Sequence, residues 1–117
     1  ARCAQVYTAL FRWEGNTITR LAEDQAIPIQ QLGESLKNVK ETVFLVGDGA
    51  DSCYNSLNEQ LPCLALAPSF LRYTRASVLA AAAQTAFSLG NTVSAQDLIP
   101  AYLRLPQAQR ELLAKQK

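Results

Sequence analysis

The sequence predicts a mixed α/β layer architecture. A hairpin signal opens the chain, a continuous apolar run passes through a glycine turn into a helix, and a longer helix follows at the usual spacing of alternating strands and helices.

Residues 4–12 contain Val6, Tyr7, Thr8, Leu10 and Phe11, the β-branched and aromatic types that suit a pleated surface, and residues 17–21 repeat that character. Glu14-Gly15-Asn16 lies between them, and Gly and Asn tolerate the positive φ of a tight connection. A β-hairpin is expected within residues 1–23, which makes the sheet mixed rather than purely parallel.

Pro28 suits a first helical turn, where its missing N–H costs nothing, and Ile29, Leu32 and Leu36 follow at helical spacing. This predicts a short amphipathic helix over 28–37. Val43-Phe44-Leu45-Val46 then reads as a strand buried on both faces, leading through Gly47-Asp48-Gly49 into a helix, so that 43–59 form a strand-turn-helix unit. Cys63-Leu64-Ala65-Leu66 reads as another short buried strand, stopped by Pro68.

Over 74–89, Val78, Leu79, Ala82, Ala86 and Leu89 share one helical face and Ser77, Gln84 and Ser88 the other, which predicts a helix packed on the domain's own sheet. Packing against a partner helix is the alternative. Gly90-Asn91 supplies a left-handed stop. Ser94-Ala95-Gln96-Asp97 resembles a capping box and predicts a brief helical turn before Pro100, after which Tyr102-Leu103-Arg104 reads as extended. The tail over 105–117 is rich in helix formers but has few apolar anchors, Leu112 and Leu113, and is expected to fray or to be disordered.

The chain's 117 residues, 49% of them hydrophobic, suit one domain. Eleven Lys and Arg against ten Asp and Glu leave a charge of +1, and no stretch gathers the basic residues that a phosphate-tracking groove requires. The Ala-rich run at 76–89 is interrupted by Ser77, Gln84, Thr85 and Ser88 and does not read as a membrane span, nor does the start of the chain read as a secretory signal. Cys3, Cys53 and Cys63 are odd in number, and the chain has no histidine, so the reading is three free thiols in a reducing, cytoplasmic setting without a common zinc site. The chain begins with Ala and contains no methionine, from which a fragment or a separated domain is expected.

Residues 47–52 are the foremost candidate for chemistry, because a glycine turn between strand and helix can offer N–H groups to a phosphate. Gly47, Gly49 and Ser52 would be the nucleotide-binding positions. Ser52 stands where a third glycine belongs, however, and Asp48 and Asp51 bring negative charge to an anion's place. The favoured reading is a structural turn whose carboxylates cap the helix themselves. Glu23-Asp24 and Asp48-Asp51 are read as solvated or capping carboxylates rather than as acid-base pairs or cation ligands. Arg72, Tyr73 and Arg75 form a small basic and aromatic cluster, read as a solvated helix entrance rather than an RNA contact. With no histidine to serve as base, no catalytic residue is assigned.

Three blocks carry a family resemblance. Residues 1–7, Ala-Arg-Cys-Ala-Gln-Val-Tyr with Arg2, Val6 and Tyr7, resemble the stretch that opens the second lobe of the TsaB (YeaZ) proteins of the glycoprotease-like group. Gln5 stands where that family commonly has Glu. Val46-Gly47-Asp48-Gly49-Ala50 looks like the same lobe's Gly-Asp-Gly-Ala turn. A helix ending at Gly90, followed by Asp97-Leu98-Ile99-Pro100-Ala101-Tyr102-Leu103-Arg104, is similar to the family's closing Pro-x-Tyr-Leu-Arg segment.

The resemblance implies the second lobe of an actin-like, Hsp70-like and sugar-kinase-like (ASKHA) fold, with the N-terminal lobe outside this sequence. It further implies a non-catalytic scaffold for threonylcarbamoyl transfer to tRNA adenosine, working with the catalytic TsaD subunit and the ATPase TsaE. It implies no cofactor or metal held by this lobe, and only indirect contact with tRNA. A homodimer through surfaces that the first lobe would cover is also in keeping with it. The group's older peptidase label finds no support, because there is no HExxH and no serine or cysteine can pair with histidine.

Overall fold

The computed structural model describes residues 5–106 together with 109, 112, 113 and 115. Arg2 and Cys3, named above, lie outside the described residues, as does much of the tail; its described residues 109, 112, 113 and 115 are helical, with Leu112 and Leu113 exposed. The chain forms two compact units, residues 1–27 with 100–117 and residues 28–99.

In the first unit, β1 (Gln5–Glu14) pairs with β2 (Thr17–Pro28) in a two-stranded sheet. The connection is Gly15-Asn16, and Gly15 takes φ 61°, the left-handed conformation that glycine enters without steric cost. The strands outrun the expected hairpin. β2 continues through the polar residues Glu23, Asp24 and Gln25 as far as Pro28, because a ladder needs main-chain partners rather than particular side chains. Arg20 lies over the Phe11 ring at 4.7 Å and bonds Asp24 at 2.8 Å, tying the two strands through exposed side chains.

The second unit begins with α1 (Ile29–Leu36), for which Pro28 serves as the N-cap residue. It continues with β3 (Val43–Leu45), α2 (Ala50–Leu57), β4 (Leu64–Leu66), α3 (Ser69–Arg72) and α4 (Ala76–Ser88). β3 and β4 are parallel, with Val43 opposite Leu64 and Leu45 opposite Leu66, and α2 is the crossover between them. α2 packs on both strands and α1 packs on α2. Ile29, Leu36, Ala50, Cys53, Leu57, Leu61, Leu64 and Ala67 are buried here.

Three expectations are corrected. The described strands form two separate two-stranded sheets, not one mixed sheet. β3 is not buried on both faces: Phe44 and, just past the strand, Val46 are 63% and 64% exposed, while Val43 and Leu45 are half-buried. A continuous apolar run is compatible with two covered faces but does not itself supply the second cover. The predicted core face of α4 is also open, with Val78 63%, Leu79 62% and Leu89 70% exposed, and no residue of that helix is buried. Only Ala86 is half-buried.

The end of α4 follows expectation in detail. Gly90 has φ 74°, its N–H donates to the Phe87 carbonyl, and the Asn91 N–H donates to the Ala86 carbonyl at 2.9 Å, the paired closure of a Schellman motif. Ser94 and Asp97 meet as expected too. The Asp97 N–H donates to Ser94 Oγ at 3.2 Å and Ser94 Oγ donates to Asp97 Oδ2 at 2.6 Å, around a turn at 95–97. Residues 101–103 carry no helix or strand pairing.

Candidate functional site: the turn between β3 and α2

The turn at 47–51 sits where a parallel strand gives way to the crossover helix, the position at which α/β folds place ligands. Gly47 takes φ 94°, a conformation that side chains rarely adopt, and its carbonyl accepts the Ala50 N–H at 3.3 Å. Gly49 is the N-cap residue of α2, and its carbonyl accepts the Cys53 N–H at 3.1 Å.

The expected capping by Asp48 and Asp51 is not what forms, since the N-terminus of α2 has no side-chain cap. Asp51 stands in the first helical turn, where its charge complements the helix dipole, and its carboxylate turns to Arg72. Arg72 Nη1 donates to both Asp51 oxygens at 2.7 Å, while Nε and Nη2 donate to the Ala67 carbonyl at 3.2 and 3.1 Å. The Arg72 carbonyl in turn accepts the Gly47 N–H at 2.6 Å. One residue of α3 thus fastens the glycine turn by its backbone and the first turn of α2 by its side chain.

This corrects the reading of Arg72 as part of a solvated helix entrance. Its side chain is only 15% exposed and is committed to the fold. Arg75 does remain exposed, and its Nη2 donates to the Phe70 carbonyl. Arg104 is half-buried in the other unit, and its Nε has no hydrogen-bond partner; the same is true of Oε1 of Gln5. Tyr102 and Leu103 are exposed beside Arg104, and Pro100 begins that segment. In the opening block Val6 is buried and Tyr7 exposed. Gly49 is half-buried, whereas Asp48 and Ser52 are exposed.

Asp24 is held by Arg20 at the surface, and no group of three or more potential metal ligands occurs among the described residues. Cys53 and Cys63 are free thiols. Burial pushes the Cys53 thiol's pKa up and keeps it in the protonated, unreactive form. The ion pair between Asp51 and Arg72 escaped sequence reasoning because its members stand 21 residues apart and nothing local couples them.

The fold and this turn define a small α/β protein with a strand-turn-helix corner locked by an internal ion pair. No protein family and no curated protein matches the chain. No helix among the described residues is long and apolar enough to cross a membrane.

Proposed function

We propose that this chain is an interaction protein, the C-terminal lobe of a TsaB-type scaffold with an ASKHA fold. In this reading it acts without catalysis beside a TsaD-type subunit and a TsaE-type ATPase in threonylcarbamoyl transfer to tRNA adenosine in the cytoplasm. The observation that carries the reading is the order of the three family-like blocks. Of the first block the described residues 5–7 lie on β1, while the second falls on the turn between β3 and α2 and the third on the end of α4 and the segment after it.

An interaction role is supported by the surface. Residues 76–96 carry no formal charge, and Val78, Leu79, Phe87 and Leu89 are exposed within them, the kind of apolar surface that marks contact sites. Size-exclusion chromatography of the intact two-lobed protein with a TsaD-type subunit tests the reading. Co-elution is expected, and separate elution overturns it.

The alternative is nucleotide binding or hydrolysis at Gly47, Gly49 and Ser52, favoured by the left-handed Gly47 at a strand-to-helix turn. Against it stands the Asp51 carboxylate, held at the helix start by the Arg72 guanidinium, which is thereby committed to Asp51 rather than to a phosphate. Titration calorimetry with ATP and ADP separates the two readings. Saturable heat that Gly49→Trp abolishes would establish the alternative.

A further inference from the structure

We draw no further inference here: the strongest candidate, the uncharged outer surface of α4 around Val78, Leu79 and Phe87, is an exposed apolar helix face, and nothing in the structure shows what covers it.

Discussion

A Cβ atom built on Gly33 of α1 would stand 2.8 Å from Cδ2 of Leu57 on α2, closer than carbon atoms approach without displacement. Leu57 is 1% exposed, so its methyl groups are packed in on all sides and have little room to withdraw. At this helix separation glycine fits as it stands, whereas alanine requires the buried Leu57 methyl to shift.

Two opposed terms decide the effect of Gly33→Ala. Alanine is better than glycine in a helix by about 1 kcal/mol, but overpacking a dense core costs about 1–3 kcal/mol. Net destabilisation is expected in urea unfolding. Leu57→Ala alone should cost about 2–5 kcal/mol through loss of burial and the cavity left behind. In that background Gly33→Ala should become neutral or stabilising, because the obstructing methyl is gone; additive effects would contradict the contact.

Arg72→Ala should destabilise more than Asp51→Ala. Removing the guanidinium strips two donors from the Ala67 carbonyl as well as the partner of Asp51, whereas Asp51 is half exposed and its loss returns Arg72 to water in part. About 1 kcal/mol is expected for Asp51→Ala and about 1–3 kcal/mol for Arg72→Ala. Arg72→Lys should not restore the loss, since an ammonium lacks the fork that reaches both acceptors. Thermal unfolding of the three variants measures the order, and equal losses for the two alanine variants would contradict it.

The thiols should differ in reactivity. Cys63 is half-buried and Cys53 buried, so a thiol reagent followed by peptide mapping should label Cys63 first and Cys53 only under unfolding conditions. Because burial raises the pKa of Cys53, the unfolded chain releases that proton first. Below about pH 8.5, the ordinary thiol value, both states keep the proton and stability is unaffected by it. Above that value stability falls as pH rises, until the folded thiol ionises in turn. Cys53→Ala should flatten this alkaline loss, although it lowers stability at neutral pH by removing buried volume.

Substitutions on α4 distinguish a covered face from an open one. Leu79→Gln and Val78→Gln should change the stability of this chain by no more than about 0.5 kcal/mol, as ordinary surface positions do. Losses of 2 kcal/mol or more, on the order of a core truncation, would show that the face packs within the fold after all.

Local signals were well expressed in this sequence. Gly15-Asn16 marked the hairpin connection, the spacing of Ile29, Leu32 and Leu36 marked α1, and Gly90-Asn91 marked the end of α4. Each depends on residues a few positions apart, within the range where backbone sterics and helical periodicity act. What escaped was set by distant partners or by the number of layers. Phe44 looks like a core residue because a run of apolar side chains does not encode whether a second layer lies above it. α4 carries an apolar face around Val78, Leu79 and Leu89 opposite Ser77, Gln84 and Ser88, but such a stripe does not encode what lies against it. The short α3 was hidden behind Pro68, read as the end of a strand although it also serves as the helix's N-cap residue. At the candidate site the glycine turn was legible, while the ion pair that closes it was not.

The most direct test of the proposed role is a pull-down with an immobilised TsaD-type subunit, using in parallel this chain and the two-lobed protein that the proposal implies. Under the proposed reading, with the pairing surface mainly on an N-terminal lobe, capture of the two-lobed protein but not of this chain is predicted. Failure of the intact protein to bind would contradict the scaffold reading, and capture of this chain alone would contradict the placement of the contact.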